Sequence, residues 1–195
     1  MTSDLPIRLG LCILWLLTVG AGGLGILRYQ NNGGPNALTP EHWPTVSQLS
    51  LDSQCNTLIM FAQPRCPCTR ASLQELHRLL SRYDGKVNAH VLFFQPSKFS
   101  DEGWTRTGSF QSAAAIPGVM VQEDIDGRQA RQFGAETSGF VVLYDPRGHL
   151  LFRGGITSGR GKPGDNAGAS AIAALLAGKA PVLRHTLAYG CPLTD

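Results

Sequence analysis

Thr57-Leu58-Ile59-Met60-Phe61-Ala62-Gln63-Pro64-Arg65-Cys66-Pro67-Cys68-Thr69-Arg70 is the stretch on which the fold turns. It opens with an unbroken apolar run, 57–62, of the length of one strand buried on both faces. Pro64 and Pro67 then stop the run, because proline has no N–H for a sheet ladder. Beyond them, 69–83 changes period. Leu73, Leu76, Leu79, Leu80 and Tyr83 recur at helical spacing and fall on one face. A buried strand, a turn carrying two cysteines and an amphipathic helix therefore follow one another directly.

Working outward, 86–95 reads as a second buried strand, with Val87, Ala89, Val91 and Phe93 on one parity and Leu92 and Phe94 on the other. Between Pro96 and Pro117 the pattern is weak, and a helix is expected around Ser112 to Ile116, with Trp104 upstream. A short strand is expected at 119–121 and one or two helical turns at 126–133. The runs 140–144 and 149–153 flank Asp145-Pro146-Arg147-Gly148 and predict a hairpin. An Ala-rich helix is expected within 164–178, capped by Asp165 or Asn166. Strand, helix, strand, irregular helix, hairpin, helix is the order of an α/β fold with a central mixed sheet flanked by helices.

Composition limits the function classes. The 195 residues allow one sizeable domain and a short appendage; 43% are hydrophobic and 16% charged, so a packed core is expected rather than disorder. A net charge of +3, without a Lys/Arg-rich stretch, excludes nucleic acid as the expected partner. The uncharged run 9–27 lies between Arg8 and Arg28. As a helix it measures about 28 Å at 1.5 Å per residue, near the roughly 30 Å hydrocarbon core of a bilayer. Residues 1–28 therefore read as an export signal or membrane anchor. Val19-Gly20-Ala21 resembles a signal cleavage site, but Leu24, Ile26 and Leu27 prolong the apolar run and favour an uncleaved anchor. The expected arrangement is a single-pass inner (cytoplasmic) membrane protein, with a flexible Asn-, Gly- and Pro-rich tether at 29–44 and a domain at 45–195 facing the periplasmic, extracytoplasmic side.

An exported domain meets an oxidising compartment, where thiol pairs matter. Cys12 lies within the apolar run; Cys55, Cys66, Cys68 and Cys191 lie in the soluble part. Spacing alone does not pair them. A thiol at a helix N-terminus faces unpaired N–H groups and the positive end of the helix dipole. Arg65 and Arg70 add positive charge, and both effects favour the attacking thiolate. Cys66 comes first and is expected to be the more exposed attacking thiol, with Cys68 resolving. One intervening residue closes a tighter ring than two, and Pro67 stiffens it, so a disulfide there is expected to be readily reduced. Cys191, in the tail, is expected either to reach the pair as a third thiol or to bridge Cys55. Two close thiolates also suit Cu(I), with His149, His90 or His185 as further ligands, though none has diagnostic spacing. A peroxidatic cysteine is disfavoured, because Gln63 stands where the similar peroxiredoxin motif has threonine. The glycine-rich, basic segment 158–166 has the makings of an anion cradle, though it lacks a P-loop pattern, and a solvated loop is the plainer reading.

Phe61-Ala62-Gln63-Pro64-Arg65-Cys66-Pro67-Cys68 resembles the redox segment of thioredoxin-like proteins, with one residue between the cysteines where the family has two. Cys66-Pro67-Cys68-Thr69-Arg70-Ala71-Ser72, together with Thr137-Ser138-Gly139-Phe140, Gly154-Gly155-Ile156-Thr157 and Gly190-Cys191-Pro192-Leu193, is similar to the RedB-like group of membrane-anchored bacterial proteins. The resemblance implies a thioredoxin-like fold and thiol–disulfide oxidoreductase activity on exported thiol or disulfide proteins, with no cofactor and no metal. Cys66, Cys68 and Cys191 would be catalytic. Glu136-Thr137-Ser138-Gly139 stands where the family usually has a cis-proline, so trans peptides are expected there. Thr137 or Ser138 would either present backbone or hydroxyl groups to the sulfur or a bound substrate thiol, or form an ordinary polar strand entry. Pro67 would also touch substrate. The competing implication is a copper- or haem-assembly binding module of metallochaperone type, using the same thiols as ligands.

Overall fold

The computed structural model describes residues 5–35, 37–99, 103–104 and 106–193. The chain divides into two units, 1–32 and 33–195. The first is helix α1 (Leu5–Asn31). Its stretch Pro6–Asn31 is long and apolar enough to cross a membrane, a property that anchors and signal sequences share.

The second unit is built on a five-stranded sheet. Its elements are β1 (Asn56–Ala62), α2 (Thr69–Arg82), β2 (Val87–Gln95), α3 (Gly108–Ala114), β3 (Val119–Ile125), α4 (Arg128–Gln132), β4 (Phe140–Tyr144), β5 (Leu150–Gly155) and α5 (Ala167–Leu176). The strand order is β3-β2-β1-β4-β5. β1 pairs parallel with β2, and β2 with β3. β4 runs antiparallel to β1, and β5 to β4. β1 thus lies at the centre, which is why its run is apolar on both parities. The sheet separates two cores. Leu58, Met60, Val91, Phe93, Val141 and Leu143 meet the apolar faces of α2, α3 and α5. Ile59, Phe61, Leu92, Phe140, Val142 and Tyr144 meet Phe133, Ala188 and Leu193 on the other side.

Local chemistry explains the joints. In the β4–β5 turn the Asp145 carboxylate accepts from the N–H groups of Arg147 (2.9 Å) and His149 (2.8 Å), while Gly148 takes φ +82°, a value side chains resist. Asn166 caps α5 by accepting from the Ala169 N–H at 2.8 Å. α3 starts earlier than the small-residue run implies, because the Thr107 hydroxyl caps it from outside that run. β3 is longer than expected. Gln122 and Glu123 are admitted because an edge strand exposes half its surface.

Residues 33–35 and 37–44, expected as part of a flexible tether, instead run along the domain. Gly34 N–H donates to Ala188 (2.9 Å), Thr137 Oγ1 to the Pro35 carbonyl (2.8 Å) and Tyr144 OH to the Pro40 carbonyl (2.8 Å). Leu150 N–H donates to Glu41 (2.9 Å), and the Trp43 ring packs edge-on against Phe133 and Tyr144. Backbone hydrogen bonds and one large aromatic ring outweigh the local bias of Gly and Pro toward loose chain.

Candidate thiol site

The central strand β1 ends at Ala62, α2 begins at Thr69, and the intervening turn carries the cysteines. Cys66 N–H donates to Gln63 O (3.1 Å) and Thr69 N–H to Cys66 O (3.1 Å), so two successive turns lead into α2. Cys68 stands at the N-cap, and its carbonyl accepts from Ala71 and Ser72. Cys66 therefore lies just ahead of the helix. The turn is tied down by a buried hydroxyl chain. Thr69 Oγ1 donates to Gln63 O (3.0 Å), Ser138 Oγ lies 2.9 Å from Thr69 Oγ1, and Gln63 N–H donates to Ser138 Oγ (2.9 Å).

The segment 189–193 lies across this turn. Ser138 N–H donates to Cys191 O (2.8 Å), Leu193 N–H to Glu136 O (2.9 Å), and Thr137 pairs antiparallel with Pro192. Cys191 N–H donates to Cys66 Sγ at 3.3 Å. Cys66 is therefore 3% exposed, while Cys68 and Cys191 are partly open. This corrects the expectation that Cys66 is the more exposed thiol: chain order sets its place in the turn, but a remote segment covers it. All five cysteines are free thiols here, and Cys191 sits at Cys66 rather than at Cys55, which lies beside Asp52 at the opposite end of β1.

The three thiols differ in acidity. Burial opposes ionisation of Cys66, yet the Cys191 thiol and the N–H groups of Cys191, Cys68 and Thr69 donate to its sulfur and bring its pKa below the ordinary thiol value. Burial, then the neighbouring Cys66 charge, push Cys68 upward. Burial and the hydrogen bond to Cys66 push Cys191 up to about 12. The nearby cation is Arg160, which favours the charged forms of Cys68 and Cys191 and donates to the Gly190 carbonyl (2.6 Å). Arg65 and Arg70, expected to tune the thiols, are engaged elsewhere. The Arg65 guanidinium lies 4.1 Å over the Trp104 ring, and Arg70 lines an open groove between α2 and α3 with His77, Gln111 and Ile116. Hydrogen-bond donors, rather than those cations, lead the stabilisation of a Cys66 thiolate.

Thr137 and Ser138 are each 1% exposed. Their hydroxyls are bonded to Pro35, Gln63 and Thr69, while the Ser138 N–H and the Glu136 carbonyl pair with Cys191 and Leu193. Pro67 is exposed between the two cysteines. The peptides around Ser138 are trans. The glycine-rich segment 158–166 is no open anion cradle. The Gly161 N–H reaches Cys68, and Gly164 N–H donates to the buried Glu75 carboxylate (2.7 Å), which fills the place an anion would take. Arg160 and Gly161 are site residues that the sequence reading missed. Their signal was the basic, glycine-rich loop itself, whose target only the fold reveals. His149 sits in the β4–β5 turn, His185 pairs beside Arg153 on β5, and His90 is buried in β2, where burial lowers its pKa. None joins the cysteines, and among the described residues no cluster of three or more His, Cys, Asp or Glu is disposed to hold a metal ion.

No family model and no curated protein matches this chain. Solved structures do. A hypothetical protein from Sinorhizobium meliloti 1021 superposes with a TM-score of 0.60 at 19% identity, over 83% of this chain and 93% of its own. An uncharacterized conserved protein from Geobacillus kaustophilus gives 0.60 at 20% identity, over 85% and 93%. A secreted disulfide oxidoreductase from Mycobacterium tuberculosis, homologous to E. coli DsbE, gives 0.45 at 14%, over 66% and 84%. The parallel β1–α2–β2 unit, the antiparallel hairpin beside β1 and the cysteine turn ahead of α2 together make a thioredoxin-like fold.

Proposed function

We propose that this chain is a thiol–disulfide oxidoreductase, held by α1 as a single-pass anchor on the extracytoplasmic face of the inner membrane, in keeping with its resemblance to the RedB-like group. The observation that carries the reading is the environment of Cys66. It is the one soluble-domain cysteine whose pKa is drawn down, it accepts a backbone N–H at 3.3 Å, and two further thiols adjoin it.

In the reducing direction the Cys66 thiolate attacks one sulfur of a disulfide in an exported protein. A mixed disulfide forms, and the partner's other sulfur leaves as thiolate and takes up a proton. Cys68, assisted by Arg160, then loses its proton and attacks the Cys66 sulfur. The partner's second thiol departs, leaving a Cys66–Cys68 disulfide, which an external dithiol reduces. Run backward, the same steps oxidise a dithiol partner. Cys191 serves as the alternative resolving thiol when its segment swings back to the Cys66 sulfur. Pro67, exposed between the cysteines, lies where a partner would touch.

The test is a trap. Cys68→Ser combined with Cys191→Ser should accumulate covalent complexes with exported proteins that dissolve on adding reductant, and Cys66→Ser should abolish them. If nothing is trapped while the unaltered protein binds Cu(I) stoichiometrically, the copper- or haem-assembly module replaces the oxidoreductase. In that case either substitution merely removes a soft ligand.

A further inference from the structure

Cys66 is 3% exposed, and the segment 189–193 covers it. If Cys66 attacks external disulfides, that cover has to leave. The cover is itself an extended cysteine peptide, held as a strand. Its backbone is gripped by the Ser138 N–H to Cys191 O bond (2.8 Å), the Leu193 N–H to Glu136 O bond (2.9 Å) and the Thr137–Pro192 pairing. Its cysteine lies against the Cys66 sulfur. Arg160 holds the Gly190 carbonyl (2.6 Å). The hydroxyls of Thr137 and Ser138 are bonded to Pro35, Gln63 and Thr69, so the segment's backbone is gripped by main chain.

Two positions of the segment are restricted. A Cβ added to Gly190 would fall on the Ser138 carbonyl oxygen and 2.8 Å from its carbon, so only glycine fits directly before the cysteine. Leu193, two residues after the cysteine, is 3% exposed within the core cluster that includes Phe94, Ala130 and Ala188. Pro192 has no N–H and faces Thr137 in a pairing that asks for none.

We propose that the Glu136–Thr137–Ser138 edge, with Cys66 and Arg160, is a peptide-binding site that segment 189–193 occupies as a resident substrate, and that external substrates are extended Gly-Cys-x-apolar segments that replace it. The inference rests on the oxidoreductase reading and adds the class of substrate. Chemically, the Cys66 thiolate attacks the peptide's cysteine sulfur in a disulfide. The new Cys66–peptide bond forms as the old S–S bond breaks, and the displaced thiolate carries off the electron pair.

The test uses the full chain carrying Cys68→Ser and Cys191→Ser, so that capture stops at the mixed disulfide. The probes are Tyr-Gly-Cys-Pro-Leu, Tyr-Ala-Cys-Pro-Leu and Tyr-Gly-Cys-Pro-Asp, each activated as the mixed disulfide with thionitrobenzoate. Release of that coloured thiolate reports the rate, and the part lost on adding Cys66→Ser is assigned to Cys66. The Gly-Cys-Pro-Leu peptide should be captured about tenfold faster than either relative, the scale expected of a backbone overlap or a misplaced charge. Adding Gly190→Ala to the protein should speed capture by loosening the resident segment. The peptide series alone decides the matter if that variant fails to fold. Equal capture of all three peptides by Cys66 overturns the substrate assignment and leaves the oxidoreductase standing. No Cys66-dependent capture of any peptide, by protein that alkylates normally once denatured, removes both.

Discussion

Ser138→Ala separates two roles for one hydroxyl. Ser138 is 1% exposed, and its oxygen accepts the Gln63 N–H at 2.9 Å. Thr69 Oγ1 lies 2.9 Å away and already donates its proton to Gln63 O at 3.0 Å, so the Ser138 hydroxyl donates to Thr69. Alanine strands the Gln63 N–H and removes one bond from Thr69. An orphaned donor costs about 1–3 kcal/mol and a lost neutral bond about 0.5–1.5 kcal/mol. Gln63 is half-buried, so water recovers part of the first term, and the expected loss is about 2 kcal/mol. For a domain of this size that lowers Tm by about 4–8 °C. Urea unfolding and a thermal scan of the soluble domain measure it. The rate of Cys66 capture per folded molecule should change little, because the hydroxyl points into the turn and the Ser138 N–H remains. A stability loss below about 0.5 kcal/mol, with a large drop in capture rate, would refute this reasoning and return Ser138 to direct contact with substrate.

Three further outcomes are expected. Alkylation followed against pH should give Cys66 the lowest midpoint of the soluble thiols and Cys191 the highest, near the value of about 12 that burial and Cys66 impose; earlier labelling of Cys68 contradicts the assignment of the attacking thiol. His90 is 4% exposed with neither ring nitrogen hydrogen-bonded, and burial lowers its pKa below 6.5. The unfolded chain therefore binds the proton first, so stability is complete above about pH 6.5 and declines as pH falls below it. His90→Leu should flatten the stability profile between about pH 6.5 and 5, and an unchanged slope assigns the loss to other groups. A phosphatase reporter that works only outside the cytoplasm, fused after the domain, should be active if α1 anchors the chain as proposed; activity confined to a cytoplasmic reporter reverses the topology.

Much of the fold was legible in the chain itself. An apolar run with both parities filled demands a strand covered on two sides, and β1 is central. Helical spacing of Leu73, Leu76, Leu79 and Leu80 demands one buried face, and α2 supplies it against the sheet. Asp145 and Gly148 encode a hairpin turn through their own backbone preferences. Prolines on either side of Cys66 end β1 and place two thiols ahead of a helix. All of these are local: the responsible groups lie within a few residues of one another, so periodicity and turn chemistry report them.

What sets the character of the site is not local. Cys191 meets Cys66 across 125 positions of sequence, Ser138 meets Gln63 across 75, and Arg160 meets Gly190 across 30. Charge in the sequence pointed to Arg65 and Arg70 because they are neighbours in the chain; the fold turns one onto Trp104 and the other into the groove beside α3. Likewise, Gly and Pro between 33 and 44 are permissive of a tether but do not require one, and Trp43 found a surface only once α4 and β4 had formed it. Sequence determined which residues make strand, helix and cysteine turn. Tertiary structure alone decided which thiol is covered, what lowers its pKa and what lies against it, because those depend on hydrogen bonds and burial between segments that meet only when the sheet is assembled.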